Sequence, residues 1–442
     1  MSRPNILFLT THDMGDWIGC YGHKTLKTPN LDIFASEGYR FTNSFCTSPV
    51  CTPSRGAQMT GRYPQTNGLM GLIQPPYQWR FNKGERHLSH LLSELGYHTV
   101  LFNHQHEASH EDALGFQELR LVNCGPLELL TGERVSTAQA TAQEFAEFLS
   151  ERKHEDTPFY AQVGFFETHT NTPHGTKYDW SGAQPDDSQG VEIPAYMVDD
   201  ENVRNRIAGL QGAVNYLDKA FGTILSALEK NHCKNNTIVI FTVDHGIELP
   251  HCKMELYDGG IKTGLLIGAP MYSNTTGEIC ERLVSNVDLV PTIFDLLNQP
   301  IPSFIEGKSF ADVLQKKSVS SPREAVFSMM HSHGKFIESR CVRTLKHKLI
   351  RNFSPIRTLE TPFRLVGGTQ KERPILELYD LKKDPSELTN LADDPKYKRI
   401  RGDLDNMLLD WLTSVDDPIL HGPVKTPYYQ MAINGLFQNQ LK

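Results

Sequence analysis

Short apolar runs alternate along the chain with longer stretches in which apolar residues recur every three or four positions. Apolar runs bounded by polar residues predict buried strands at residues 5–11, 40–45, 98–102, 158–166 and 237–243. Helical spacing of apolar residues predicts helices at residues 29–38, 88–95, 138–152, 207–230 and 287–297. Because strands and helices alternate, we expect an α/β fold with a large, mostly parallel sheet sandwiched by helices.

The pattern changes after residue 314. Apolar runs there predict strands at residues 325–330, 340–351 and 375–381, and a capped terminal helix over residues 397–412. These strands favour an antiparallel sheet. We therefore expect two units: a large α/β domain over residues 1–318, and a smaller α+β subdomain over residues 319–442 with an antiparallel sheet and a terminal helix.

Composition excludes some classes of protein. The 442 residues are 39% hydrophobic and 22% charged, which suits a normal globular core. The net charge of −8 argues against nucleic acids and anionic membranes as partners. No run approaches the roughly 20 apolar residues of a transmembrane helix, and the apolar run at residues 6–9 is too short for a signal peptide. If Met1 is the natural start, we expect a cytoplasmic protein.

Histidine and aspartate residues directly follow four of the predicted strands. In a parallel sheet, the carboxyl ends of neighbouring strands meet at one edge, where functional sites form. Any one of these groups could be an ordinary surface loop, but four together favour a site. The residues are His12, Asp13, His104, His106, His169, Asp244 and His245.

The most specific pattern lies at residues 51–62, which read CTPSRGAQMTGR. It matches every defined position of the signature Cys-x-Pro-Ser-Arg-x-x-x-x-Thr-Gly-Arg, so the chain resembles the type I sulfatases of the alkaline phosphatase superfamily. The resemblance extends to residues 4–8 (PNILF), 28–32 (TPNLD), 257–262 (YDGGIK) and 377–381 (ELYDL). The first strand region and the C-terminal unit look most similar to N-sulfoglucosamine sulfohydrolases.

The resemblance implies that Cys51 is oxidised to formylglycine by a formylglycine-generating enzyme. A hydrated aldehyde carries two hydroxyls on one carbon. One attacks sulfur to give a covalent sulfate ester, and the other then loses its proton so that the aldehyde reforms and expels sulfate. The implied activity is hydrolysis of a sulfuric ester or sulfamate, with a small sulfated saccharide as the substrate.

The resemblance also implies one divalent metal. Sulfatases bind calcium through an Asp-Asp pair after the first strand and an Asp-Asn pair after a late strand. The matching positions here are His12-Asp13 and Asp244-His245, with an oxygen derived from Cys51 completing the set. Calcium, the family default, prefers oxygen ligands, whereas imidazole suits zinc and is tolerated by manganese. All three metals therefore stay open.

The remaining site residues take their roles from the same resemblance. Arg55 and His106 match residues that contact the formylglycine, and Lys253 matches a sulfate-binding position. His104 replaces a lysine that usually binds sulfate, and the permanent charge of that lysine is lost. His169 matches a histidine at the leaving oxygen and could act as general acid.

Two alternatives stay open at this point. The Asp244-His245 pair also resembles phosphonate monoester hydrolases, so a phosphonate or phosphodiester hydrolase on the same scaffold is the main alternative. The unusual histidines His12, His104 and His245 would also fit a catalytically inactive relative that only binds ligands. The intact Cys51 signature argues against that reading, because an inactive protein gains nothing from a modification motif.

Overall fold

The structure is a computed structural model that describes residues 3–125, 127–128, 134–152, 155–170, 183–272, 277–317, 323–333, 336–354 and 373–438. β5 and β6 form a small antiparallel pair, and eight other strands form one sheet. The strands before residue 300 are β1 Asn5–Thr11, β2 Tyr39–Phe45, β3 His98–Asn103, β4 Glu118–Arg120, β5 Leu127–Glu128, β6 Arg134–Val135, β7 Phe159–Gly164, β8 Thr237–Val243, β9 Leu265–Gly268 and β10 Glu278–Ser285.

The large sheet has the strand order β10-β2-β9-β8-β1-β7-β3-β4. Its neighbouring strands are parallel, except that β9 runs antiparallel to β2 and β8. The central strand β1 lies between β7 and β8 and is covered on both faces. This position explains why β1 and β8 are continuous apolar runs rather than alternating ones. The predicted mostly parallel sheet is confirmed.

Helices cover both faces of this sheet. Leu7 and Leu9 of β1 belong to a core cluster that includes residues of α5 and α6, whereas Ile6 and Phe8 pack with residues of α4 and α8. Successive strand residues thus point to opposite layers. The helices are α1 Pro29–Glu37, α2 Cys51–Thr60, α3 Pro64–Asn67, α4 Leu88–Glu94, α5 Ala138–Glu151, α6 Glu201–Lys230, α7 Asp258–Ile261, α8 Leu289–Leu296, α9 Ala311–Leu314, α10 Lys398–Ser414 and α11 Pro427–Gln438.

A second, fully antiparallel sheet follows. Its strands, in order, are β11 Ala325–Ser332, β12 Phe336–Thr344, β13 His347–Asn352 and β14 Leu376–Asp380. The single strand predicted over residues 340–351 was wrong, because the chain turns at Leu345 and Lys346. Leu345 is 46% exposed at this turn, and this apolar residue made the two strands look like one continuous strand in the sequence. The boundary predicted at 318/319 lies outside the described residues and stays a prediction.

The small sheet packs against loops of the large unit. Phe45, Met254 and Ile261 share a hydrophobic cluster with Val326 and Ile350 of the small sheet. Lys348 Nζ lies 2.6 Å from Asp258 Oδ1, which adds a buried ion pair between the two units. None of the helices within the described ranges is long and apolar enough to cross a bilayer.

Candidate active site

The polar residues predicted after four strands meet at one edge of the large sheet. They follow β1, β3, β7 and β8, which are mutually parallel and adjacent in the sheet. Gly164, the last residue of β7, permits the close approach of the β3 loop. A Cβ atom there would lie 1.7 Å from the carbonyl oxygen of His104, so only glycine fits.

Cys51 is the first residue of α2, which begins at the same edge. Asn286 fixes the start of this helix, because its Nδ2 donates to the Ser54 carbonyl oxygen at 3.0 Å and its Oδ1 accepts from the Thr47 amide at 3.1 Å. Gln58 Nε2 donates to the carbonyl oxygen of Val243 at 3.0 Å and ties α2 to the end of β8. The signature segment therefore presents residue 51 to the strand ends.

The Cys51 thiol faces an imidazole and a carboxylate. Its Sγ lies 3.2 Å from His245 Nε2 and 4.0 Å from Asp13 Oδ1. His245 Nδ1 donates to the Gly246 carbonyl oxygen at 2.9 Å, which fixes the ring with Nε2 towards Cys51. Burial raises the pKa of Cys51 well above its ordinary value, so the thiol is neutral here.

Asp244 joins the metal-type residues to the signature helix. Its Oδ1 accepts from the amides of Asp13 at 3.0 Å and His245 at 2.8 Å. Its Oδ2 lies 3.0 Å from His12 Nδ1 and 3.2 Å from Arg55 Nε. Burial alone would raise the pKa of Asp244, but the neighbouring His245, His12 and Arg55 side chains hold it well below its ordinary value. Asp244 is therefore a buried carboxylate.

Histidine rings crowd the opposite side of Cys51. The ring centroid of His12 lies 4.9 Å from that of His104, 5.8 Å from that of His106 and 5.6 Å from that of His169. Burial and nearby positive charge lower the pKa values of His12 and His106, so both rings are neutral. Among the described residues, His12 Nε2 and both ring nitrogens of His106 have no hydrogen-bond partner.

Arg55 is a buried cation with spare donors. The side chain is 0% exposed, and only its Nε is paired, with Asp244. Neither Nη1 nor Nη2 has a hydrogen-bond partner among the described residues. Buried donors without partners are costly. This guanidinium is therefore suited to receive an anion.

Lys253 and His169 are in contact beside Asp13, and of these two side chains only that of His169 is partly exposed. Lys253 Nζ lies 2.6 Å from Asp13 Oδ2, 3.3 Å from His169 Nε2 and 3.8 Å from Glu248 Oε2. Burial alone would lower the pKa of Lys253, but Asp13 and Glu248 raise it well above its ordinary value. His169 Nδ1 donates to the Thr170 carbonyl oxygen at 2.9 Å, which fixes the ring. The His169 side chain is 27% exposed, so a substrate can reach it.

The small sheet adds a residue that sequence analysis missed. His333 directly follows β11, and its titration responds to Lys253, Glu248, His245 and His169. Shielding from water, with help from the Lys253 charge, lowers its pKa to about 3, so the ring is neutral. The two histidines of the 331–333 segment, which ends a predicted strand, were the available signal.

The residues present fit a divalent metal. His12, Asp13, Cys51 and Asp244 each offer a ligand atom within 4.8 Å of the others, and all four are buried. His245 Nε2 lies 3.2 Å from Asp13 Oδ1 and adds a second imidazole. The unpaired Nε2 of buried His12 is the orphaned group that a metal would satisfy. Nitrogen and carboxylate donors together suit zinc or manganese as well as calcium.

All ten residues predicted for the site lie in this one cluster. The sequence did not reveal Glu248, His333 or Asn286, which reach the cluster from a loop after β8, from the small sheet and from the segment after β10. The ten predicted residues are His12, Asp13, Cys51, Arg55, His104, His106, His169, Asp244, His245 and Lys253.

Comparison with known proteins identifies the family. The family model for sulfatases matches residues 4–299, so the chain belongs to the sulfatase family and is a sulfuric ester hydrolase. A second model, the C-terminal part of N-sulphoglucosamine sulphohydrolase, matches residues 251–413. Members of this family typically use a metal ion and a formylglycine, which agrees with the cluster around Cys51.

Several individual proteins are similar to this chain over most of its length. Human N-sulphoglucosamine sulphohydrolase is 27% identical over 96% of this chain and 92% of its own length. An ulvan-active sulfatase of Formosa agariphila is 28% identical over 94% of this chain and 76% of its own length. A structure solved with its substrate D-glucosamine-2-N,6-O-disulfate has a TM-score of 0.75 at 20% identity, covering 96% of this chain and 99% of that one. A phosphonate monoester hydrolase of Agrobacterium radiobacter has a TM-score of 0.71 at 19% identity, covering 93% and 96%.

Proposed function

We propose that this protein releases inorganic sulfate from a small sulfated sugar, as an O-sulfate ester or an N-sulfamate, through a formylglycine made from Cys51. The observation that carries the proposal is the position of Cys51, at the start of α2 and 3.2 Å from His245 Nε2. Formylglycine would supply a hydrated aldehyde as the nucleophile. Maturation by a formylglycine-generating enzyme is part of the proposal.

Charge balance supports a metal beside this residue. Asp13, Asp244 and Glu248 are carboxylates, whereas Arg55 and Lys253 are the cations in contact with them. Three negative charges against two positive ones would repel a sulfate, and a divalent cation reverses that sign. His12, Asp13, Asp244 and His245 would hold the ion, which would polarise the sulfate and the nucleophile. Because two of these donors are imidazoles, we favour manganese or zinc over calcium.

Two cations of the chain bind the anion. Arg55 has two unpaired nitrogens, and fixed donors of this kind stabilise charge that develops in a transition state. Lys253 is charged and 1% exposed, with its ammonium between Asp13 and His169. Together they replace the cation that is lost at His104.

His169 is positioned to give a proton to the leaving atom. Its Nδ1 is committed to the Thr170 carbonyl oxygen, so the only nitrogen available for transfer is Nε2. Lys253 donates to that nitrogen at 3.3 Å in the absence of substrate, so the proton that Nε2 passes to the leaving atom would come from the Lys253 ammonium. Proton transfer is needed most when the leaving group is an amine, as in a sulfamate.

Two relatives and one residue of the small sheet support the choice of sugar. Human N-sulphoglucosamine sulphohydrolase and the protein solved with D-glucosamine-2-N,6-O-disulfate support a sulfated amino sugar. His333 reaches the same region from the small sheet, where a neutral imidazole can hydrogen-bond sugar hydroxyls. We propose that His333 contacts the sugar rather than the sulfate.

A matched hydrolysis assay tests this function. Protein matured by a formylglycine-generating enzyme would be loaded in turn with calcium, manganese and zinc. Glucosamine N-sulfate, glucosamine 6-O-sulfate, an aryl sulfate and an aryl phosphate diester would then be compared. We expect a higher kcat/KM for a sulfated glucosamine than for the phosphate diester. The reverse order would overturn the proposal and favour the phosphonate or phosphodiester alternative, which the Asp244-His245 pair still supports.

A further inference from the structure

Two buried histidines, His12 and His106, lie beside Cys51. One ring nitrogen each of His12 and His106 lies within 4.8 Å of the other and of Cys51 Sγ. His12 is 0% exposed, Cys51 is 1% exposed and His106 is 8% exposed. The set combines two imidazoles with one thiol, whereas the set formed by Asp13, Asp244 and His12 is rich in oxygen.

The imidazoles of this set lack partners. His12 Nε2 and both ring nitrogens of His106 have no hydrogen-bond partner among the described residues, although both rings are more than nine-tenths buried. Native proteins rarely leave buried polar atoms in this state, so a bound group is the physical explanation to test. In the matured protein a nitrogen of His106 would contact the formylglycine, which the unmodified chain lacks.

We propose that His12, Cys51 and His106 form a zinc site in the protein whose Cys51 has not yet been oxidised. Zinc binds thiolate sulfur and imidazole nitrogen in tetrahedral sites, and three protein ligands leave the fourth position for water. The thiol releases its proton to solvent as the zinc–sulfur bond forms. From zinc–ligand bonds of about 2.0–2.3 Å, neighbouring ligand atoms lie about 3.5 Å apart. The donor atoms, which lie within 4.8 Å of one another, would therefore approach each other by at most about 1.3 Å.

The site depends on the state of residue 51. The sulfur of Cys51 is the soft ligand that selects zinc over calcium. Oxidation to formylglycine removes this sulfur and leaves the oxygen-rich side with Asp13 and Asp244. The inference concerns the unmodified chain and is separate from the proposed hydrolysis.

Cobalt(II) titration of the unmodified protein tests the proposal, because cobalt replaces zinc and absorbs strongly when bound to thiolate. We expect a thiolate-to-cobalt charge-transfer band that one equivalent of zinc removes and excess calcium does not. Cys51→Ser should abolish the band, and His106→Gln should weaken cobalt binding at least about tenfold. Cys280→Ser, which removes a buried thiol on the outer strand β10, should leave the band unchanged.

X-ray absorption of the zinc-loaded wild-type protein supplies a measurement that does not depend on a variant folding. We expect one sulfur neighbour at about 2.3 Å and nitrogen or oxygen neighbours at about 2.0 Å. A zinc shell without sulfur, or a cobalt affinity that is unchanged in folded His106→Gln protein, would overturn the proposal. Sulfate release by the matured protein is measured separately, so failure of the zinc site and failure of the proposed function are distinguishable.

Discussion

Two arginines, one near each sheet, are equally buried but differ in how many of their side-chain nitrogens form hydrogen bonds. Arg340 in the small sheet binds Asp417 through Nε at 2.6 Å and Nη2 at 2.9 Å, and its Nη1 donates to the Ser339 carbonyl oxygen at 2.9 Å. Arg55 in the strand-end cluster pairs only through Nε, and its two remaining nitrogens have no hydrogen-bond partner among the described residues. Both side chains are 0% exposed.

The difference separates structural charge from functional charge. A buried ion pair is tolerated where hydrogen bonds satisfy every donor, as around Arg340. A buried cation with spare donors costs stability and persists where a ligand recovers that cost. At the strand ends of the large sheet, His12 Nε2 and both ring nitrogens of His106 likewise have no hydrogen-bond partner among the described residues.

The largest expected effect comes from exchanging each arginine for methionine. Arg55→Met should reduce kcat/KM for the sulfated sugar by about 10²–10³-fold, because it removes preorganised donors to the sulfate. Arg340→Met should leave kcat/KM of the folded protein within about twofold, but destabilise it by about 3–5 kcal/mol, because the buried Asp417 carboxylate loses the cation that balances its charge. Initial rates and urea unfolding of both variants measure the two effects.

Arg55→Met should cost less stability than Arg340→Met, since it also removes two unsatisfied donors. Asp244 keeps His12 and two backbone amides as partners. The distinction between a functional Arg55 and a structural Arg340 would be wrong if Arg55→Met is the less stable variant and retains full activity.

A smaller effect is expected at His333, where the two regions meet. His333→Ala should raise KM for the sulfated sugar about tenfold with kcat changed less than about twofold, because it removes binding to a part of the substrate that does not react. The exposed His421, which pairs with Asp416 at 3.0 Å, provides the control, and His421→Ala should change neither constant. A fall in kcat with KM unchanged would instead place His333 in the chemical step.

A change of stability with pH tests a buried group outside the catalytic set. Glu167 is 1% exposed, its Oε1 accepts from the Ala138 amide at 2.9 Å, and its Oε2 has no partner among the described residues. Burial raises the pKa of Glu167 from 4.5 to about 7. The folded protein therefore holds a proton that the unfolded chain loses between these values, so stability falls as pH rises from 4.5 to 7.

Glu167→Gln removes this titration. Compared with the variant, the wild type should lose free energy of unfolding from pH 4.5 to pH 7 and stay level above it. Urea unfolding at three pH values measures the difference. A difference that does not change with pH would mean that Glu167 is already ionised in the folded protein.

The sequence predicted most of the fold because strand and helix patterns were strong. The continuous apolar run of β8 was predicted with both ends correct, and so was the start of β1. The hairpin at Leu345 was missed because the turn carries an apolar residue and no glycine or proline. Strands β9 and β10 at the far side were also missed, since β9 has four residues and β10 alternates only weakly.

The candidate site was predictable to a similar degree. Nine of its ten predicted residues lie in the signature or follow a strand end, where local patterns predicted them, and Lys253 came from the resemblance to the sulfatases. His333 and Glu248 lie near the site because the small sheet and a loop pack against the strand ends. Contacts between distant segments leave no periodic signal in the sequence. The unpaired state of Arg55 and His106 is likewise a property of packing and was visible only in the structure.

The most direct test of the account compares the aldehyde content of residue 51 with sulfate release in the same samples. Preparations co-expressed with different amounts of a formylglycine-generating enzyme would be analysed by peptide mass spectrometry and by hydrolysis of a sulfated glucosamine. We predict that activity is proportional to the aldehyde fraction and reaches zero in unmodified protein and in Cys51→Ala. Sulfate release at full rate from protein without the aldehyde would show that a formylglycine made from Cys51 is not the nucleophile.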